Sequence, residues 1–347
     1  MEFAMIVNTD DRVSLEPEQR LQEMVDRAAT AKDVGFDHLA GAHRYSFGPA
    51  RSDERGEPLL TSRFQPLPML SFLAGEFGSE IGYLTSVLVS TGLHPVQLAE
   101  DVATLDTMTG GRLSLGIGLG WMPYEFEAFN VELRQRVSRF EELLILYQRL
   151  LSGEEVTFRG KHFQVRDAKL LARSAQQPRP PLWVGANADP AVARAARLGD
   201  AWVLSSHNTV DDLERLVELY RTTREQQGKP QPTDRPITRM VFVAEDRETA
   251  LMQAEPALAD WYRRRGEWGW FVTKDTKASD EILSSGRWII GAPEDCAEQI
   301  VELHRRLGAT HVIMSMSWPT PDNQRRLDAI RLLGEEVLPR VRKALGD

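Results

Sequence analysis

Seven histidines, at positions 38, 43, 94, 162, 207, 304 and 311, and a single cysteine, Cys296, are the side chains best suited to hold a metal or to move protons near neutral pH. The histidines show no H-x-x-x-H or H-x-H spacing, and Cys-x-x-Cys is impossible with one cysteine, so spacing predicts no metal site. His304 falls on an apolar helix stripe and His162 in a predicted hairpin, and both read as structural. There is no G-x-S-x-G, and Cys296 follows GAPED at a helix start, where the neighbouring acids serve as caps. His43 is different. It lies in LAGAHRYSFG, just past a predicted strand and close to Tyr45 and Phe47. An imidazole in that position suits proton transfer, the alternative being an ordinary loop histidine.

Residues 113–126, LSLGIGLGWMPYEF, place three glycines at alternate positions. A dinucleotide fingerprint beginning at Gly116 needs a third glycine at position 121, which is Trp121. The better reading is a strand end where a ligand rests against backbone that has no Cβ. In IGYLTSVLVSTGLHP, Thr85 and Ser86 interrupt an apolar run. They mean either tight interior packing or a bulge that presents backbone to a flat ligand. In PPLWVGANADPAVARAARLGDAW a strand runs through Gly185 into a helix starting near Pro190. That helix start is either an anion site or is simply capped by Asn187 or Asp189.

Eight apolar runs read as strands: Phe3–Asn8, His38–Gly41, Ile81–Ser90, Arg112–Gly118, Leu182–Gly185, Asp200–Ser205, Thr238–Ala244 and His311–Ser315. Between them lie helix-period segments, the clearest carrying Leu133, Val137, Phe140, Leu144, Tyr147 and Leu151 on one face. Strict alternation predicts an α/β fold, a closed (β/α)8 TIM barrel, with an open doubly wound sheet as the alternative. Insertions follow strands 2, 4 and 7, at residues 44–66, 153–180 and 245–290, the second holding a hairpin about Gly160. Residues 1–347 are read as one barrel domain, a length such barrels reach. Active sites of these barrels lie at the carboxyl ends of the strands, where His43 and the glycines fall.

The chain is 42% hydrophobic and 27% charged, with a formal net charge of −9, which argues against a nucleic-acid or anionic-membrane partner. No apolar run approaches 18 residues and the amino terminus lacks a signal-peptide pattern, so a cytoplasmic location is expected.

The run TSVLVSTGLHPVQLAEDVATLDTMTGGRLSLGIGLGWMPYEFEAFN resembles the bacterial luciferase-like monooxygenase family, whose members use reduced flavin or the deazaflavin F420. PPLWVGANADPAVARAARLGDAW, IIGAPEDCAEQIVELHRRLGATHVIMSMSWP and LLGEEVLPRVR look like the same family in the same order, so the resemblance covers nearly the whole chain. It implies a barrel with the flavin ring over its carboxyl-end mouth and a non-prolyl cis peptide, which falls at Ser86-Val87. It makes His43 the catalytic residue, and Ser86, Val87, Ser90, Gly118, Gly185, Asn187 and Ala188 cofactor-binding residues. Luciferase has an arginine where this chain has Leu119, so a cofactor phosphate needs another cation, with Arg44 and Arg194 as candidates.

The implied activity is an FMN-dependent monooxygenase that uses reduced FMN and O2 on a small, partly apolar organic substrate. An F420-dependent dehydrogenase or reductase and a non-catalytic flavin-binding barrel are the alternatives. A separate flavin reductase and a homodimer or higher homo-oligomer go with the resemblance. Residues 245–290 concentrate aromatics, among them Trp261, Tyr262, Trp268, Trp270 and Phe271, and are expected to form a lid with Trp268 or Trp270 facing the cavity, the alternative being an outer helix that packs them against the barrel.

Overall fold

The computed structural model describes residues 1–8, 16–47, 62–267, 284–316 and 322–346, with the backbone alone at 257 and 260–267. Its strands are β1 (Glu2–Ile6), β2 (His38–Gly41), β3 (Gly82–Thr85), β4 (Leu88–Val89), β5 (Leu113–Gly118), β6 (Val156–Arg159), β7 (Gln164–Ala168), β8 (Leu182–Ala186), β9 (Ala201–Leu204), β10 (Pro236–Val243), β11 (Trp288–Gly291) and β12 (His311–Ser315). Strands β1, β2, β3, β5, β8, β9, β10 and β12 pair in parallel in that order. The ring closes where Leu204 meets Ile237 and Glu2 meets His311. This is the predicted (β/α)8 barrel.

Period-2 alternation puts one side of each strand into the lumen and the other under the helices. Ala4, Ile6, Ala40, Leu84, Trp183, Ala201, Val203 and Ile313 fill the lumen. Phe3, Met5, Leu39, Tyr83, Leu115, Ile117, Val184 and Trp202 belong to the larger core beneath the outer layer. That layer comprises α1 (Pro17–Asp33), α2 (Pro66–Phe77), α3 (Pro95–Met108), α4 (Pro123–Ala128), α5 (Arg136–Leu151), α6 (Asp189–Leu198), α7 (Val210–Gln226), α8 (Arg247–Glu267), α9 (Pro293–Leu307), α10 (Asn323–Leu332) and α11 (Leu338–Leu345). Proline opens α1, α2, α3, α4 and α9, where its missing N–H would have had no helical partner. No helix among the described residues is long and apolar enough to cross a membrane.

Three expectations change. The predicted strand Ile81–Ser90 divides into β3 and β4, because the chain turns at Ser86-Val87, where the peptide bond is cis as expected. Leu133, assigned to the α5 stripe, precedes that helix and is exposed. The segment 245–290 is also not a lid throughout. It begins in α8, which buries Ala250, Ala254 and Leu258, and ends in β11, which pairs with the second half of β10 and buries Trp288. WIIG is a short apolar run of the kind that a buried strand takes. The expectations for Trp268, Trp270 and Phe271, and for the side chains of Trp261 and Tyr262, lie outside the described residues. The hairpin about Gly160 is present as β6–β7.

Candidate active site

β2 ends at Gly41, and His43 stands two residues beyond it at the carboxyl end of the barrel. Its Nδ1 accepts the backbone N–H of Val89 at 2.9 Å. An imidazole nitrogen that accepts carries no proton, so the ring hydrogen of neutral His43 is on Nε2. That Nε2 is buried and has no hydrogen-bond partner among the described residues. Burial pushes the His43 pKa down to about 4 against the opposing pull of the Gln65 side chain, and the charge of Arg63 acts in the same direction as burial. At neutral pH His43 is therefore uncharged, with its ring proton on Nε2.

An aromatic wall stands beside it. Tyr45 meets the His43 ring edge-on at 4.6 Å between centroids, Phe129 lies 4.7 Å from Tyr45, and Phe47 lies 5.7 Å from Tyr124. Phe47 and Phe129 are exposed, as is Trp121 in the same region of sequence.

The residues after β3 tie this side of the mouth together. The Ser86 N–H donates to the Gly41 carbonyl at 2.8 Å, and Ser86 Oγ lies 3.2 Å from Thr238 Oγ1 on the opposite strand β10. The Ser90 N–H donates to the Gly118 carbonyl at 3.0 Å and its hydroxyl to the Leu119 carbonyl at 3.3 Å. In register, Val89 faces Gly118, and Gly118 faces Gly185. A continuous line thus runs from His43 through Val89 and Gly118 to Gly185.

The glycines have a different immediate reason from the expected one. A Cβ at Gly116 would stand 2.0 Å from the Thr85 carbonyl oxygen, and one at Gly118 would stand 2.8 Å from Val87 Cγ2. At Gly185 the two Val87 methyls would be 3.2 and 3.3 Å away. The space over these glycines is filled by the chain at Thr85–Val87 rather than left open for a ligand. Thr85 itself is satisfied, its hydroxyl donating to the Gly116 carbonyl at 2.6 Å.

Asn187 and Ala188 lead into α6, whose N-cap Ala188 provides no side-chain cap. Asp189 does not cap either. Both its oxygens accept from Arg215 at 2.8 Å, a pairing that lowers its pKa. The start of α6 therefore has no side-chain cap, but Pro190 lacks an N–H and the Ala191 N–H donates to the Ala188 carbonyl at 2.9 Å, so only the N–H groups of Ala188 and Asp189 remain for an anion there. Of the two arginine candidates, Arg194 is engaged by Glu141 at 2.9 Å, between α6 and α5, while Arg44 follows His43 on its loop. Arg215, at the α6 start, was not anticipated.

Two further residues escaped the sequence reading. Glu125 in the first turn of α4 is only 2% exposed, and burial raises its pKa against the opposing pull of Tyr45 and Arg44. An acid at a helix start ordinarily reads as a surface group that complements the dipole, so sequence offers no signal for its burial. Thr238 had a weak signal, a hydroxyl beside Arg239 in the largely apolar strand β10.

A model of the luciferase-like monooxygenase family matches residues 1–311. An F420-dependent glucose-6-phosphate dehydrogenase of Nakamurella multipartita is 27% identical over 333 residues, covering 93% of this chain and 94% of that protein. A 4-hydroxyprotoasukamycin monooxygenase of Streptomyces nodosus subsp. asukaensis is 26% identical, covering 73% of this chain and 71% of its own. Among solved structures, the oxygenating constituent of 3,6-diketocamphane monooxygenase of Pseudomonas putida, in complex with FMN, superposes with a TM-score of 0.74 at 17% identity over 98% of each chain. At that identity the likeness speaks for the fold alone.

Proposed function

The chain belongs to the luciferase-like monooxygenase family, and from that premise we propose that it is a monooxygenase using reduced FMN and O2 on a small, partly apolar organic substrate. The observation that carries this reading is the tautomer of His43. Val89 occupies Nδ1, so Nε2 offers a proton and cannot accept one without first losing its own. Oxygen insertion places developing negative charge on oxygen, which a buried N–H stabilises. Oxidation of an alcohol instead releases a proton and calls for an acceptor at this position.

The site's own residues fit a flavin in two respects: a buried, neutral imidazole at His43 with its proton on Nε2, and a helix start at α6 without a side-chain cap and with Arg215 beside it. His43 would orient and hydrogen-bond the reacting oxygen, the α6 N–H groups with Arg215 would hold the phosphate, and the aromatic wall would exclude water. Bound reduced flavin supplies the electrons that activate oxygen. A separate flavin reductase and a homo-oligomeric assembly belong to the same proposal.

F420-dependent hydride transfer is the second reading, supported by the relative named as an F420-dependent glucose-6-phosphate dehydrogenase. Titration of the purified protein with FMN, reduced FMN and F420 separates the two. The proposal expects reduced FMN to bind most tightly and turnover to consume oxygen. Tighter F420 binding with oxygen-independent turnover would replace it with the second reading.

A further inference from the structure

We propose that Glu2, His38 and His311 form a binding site for a first-row divalent metal ion, Zn2+ foremost, at the amino-terminal end of the barrel. Each is the first residue of its strand, on β1, β2 and β12, and these three strands are adjacent in the ring. Glu2 pairs in register with His311, and Ala4 pairs with His38. Ala4, Ala40 and Ile313 point into the lumen. Two residues earlier on each strand, alternation points Glu2, His38 and His311 to the same side.

The donor atoms have already converged. Glu2 Oε2 is 2.5 Å from His38 Nε2 and 3.3 Å from His311 Nε2, and one ligand atom from each residue lies within 4.8 Å of the others. Ligands about 2.0–2.2 Å from a tetrahedral ion stand roughly 3.3 Å apart. Glu2 and His311 have that spacing as they are, and His38 needs to draw back by less than about 1 Å. Two imidazoles and a carboxylate form a donor set that suits Zn2+, and the half-exposed Glu2 side chain leaves a fourth position for water.

The surroundings hold His311 as a metal ligand is held, while the buried Nδ1 of His38 has no hydrogen-bond partner among the described residues. His311 Nδ1 lies 2.8 Å from Thr310 Oγ1, an outer partner that leaves Nε2 free for the ion. Thr310 is fixed in turn by the Arg235 N–H, which donates to the same oxygen at 2.7 Å. Trp183 packs edge-on against His311 at 5.1 Å, and its indole N–H donates to Asp234 at 3.3 Å. A Cβ at position 82 would stand 2.1 Å from His38 Nδ1, so Gly82 makes the room the imidazole occupies. Trp183, 1% exposed, fills the lumen above the cluster, away from His43. A metal here would therefore join the first and last strands of the barrel and take no part in the reaction at the other mouth.

The test uses tag-free, full-length protein stripped with a chelator, titrated with Zn2+ by calorimetry and with Co2+ by visible absorption. The proposal expects one equivalent, a four-coordinate Co2+ spectrum, and a rise in melting temperature with Zn2+. Outer-shell changes cost about 10–100-fold in metal affinity, so Glu2→Gln and His311→Gln should each lose at least that much. His162→Gln, outside the cluster, should keep wild-type affinity. Absence of a bound equivalent would overturn the proposal and leave a bare Glu–His cluster. Binding that survives both ligand substitutions would overturn it too, as adventitious capture by another histidine. Should a variant fail to fold by circular dichroism, the wild-type stoichiometry and cobalt spectrum decide alone.

Discussion

At the amino-terminal end of β2, His38 stands 2.5 Å from the Glu2 carboxylate; just past the carboxyl end of the same strand, His43 accepts a backbone N–H, and burial pushes its pKa down to about 4. Together His38 and His311 hold the Glu2 carboxyl well below the usual carboxylate range. One end of the barrel thus gathers charge-stabilising partners around an acid, while the other strips an imidazole of solvent and leaves it neutral. The two outcomes follow from different causes, hydrogen bonding to the Glu2 carboxylate from His311 and His38 at one mouth and desolvation of His43 at the other. A donor that must stay neutral and ligands that must converge on a cation are suited by these different settings.

The largest expected effect tests the carboxyl-end mouth. His43→Ala should lower turnover by about ten- to a thousandfold, the range of lost proton-transfer or hydrogen-bonding assistance, with cofactor affinity little changed. His43→Gln, which keeps an N–H donor, should recover part of the loss. Steady-state kinetics beside cofactor titration check both, and wild-type turnover in the alanine variant would return His43 to an ordinary loop residue.

Next comes a pair of glycines at the two ends. Gly116→Ala drives a methyl to 2.0 Å from the Thr85 carbonyl oxygen, a backbone atom, whereas Gly82→Ala meets the His38 side chain, its Nδ1 at 2.1 Å. Backbone cannot swing aside and an imidazole can. Overpacking at Gly116 should cost about 1–3 kcal/mol, and more than at Gly82. Melting temperatures of the two variants would break the comparison if Gly82→Ala proved the more damaging.

An effect of comparable size follows from pH. His43 titrates near 6.5 when unfolded and at about 4 when folded, so between those values the unfolded chain binds more protons. Stability should therefore fall as pH drops from about 6.5 towards 4, and this part of the fall should be missing in His43→Gln. Denaturant melts across that window measure it. Turnover should show no inflection near pH 6.5 from this residue.

The smallest effect belongs to the bond that spans the mouth. Ser86→Ala removes the 3.2 Å contact with Thr238 and should cost about 0.5–1.5 kcal/mol. A double-mutant cycle with Thr238→Val would isolate the coupling, and additive losses would show that the two hydroxyls do not support one another.

Much of this architecture was legible in the chain itself. Apolar runs alternating with helix-period segments identified the eight barrel strands, because periods of 2 and 3.6 are local properties. His43 was found by its place just past a strand end, and the glycines of GIGLG by their unusual density. What those glycines accommodate was not legible. The group above Gly116 belongs to Thr85 on a neighbouring strand, and the groups above Gly118 and Gly185 belong to Val87. β11 was hidden because WIIG is too short to show a period. Glu125 was hidden because its sequence position suits a surface acid equally well.

Sequence by itself determined the order of the eight barrel strands, the barrel, the family resemblance and the imidazole just past the second strand. Only the tertiary structure decided the proton position on His43, since the group that fixes it, the Val89 N–H, arrives from another strand. It alone brought Glu2, His38 and His311 together, for no histidine spacing along the chain announces them. Their meeting depends on the ring closing β1 against β12 in a register that sets Glu2 opposite His311. Local periodicity can be read residue by residue, but register across a closed sheet is a property of the whole ring.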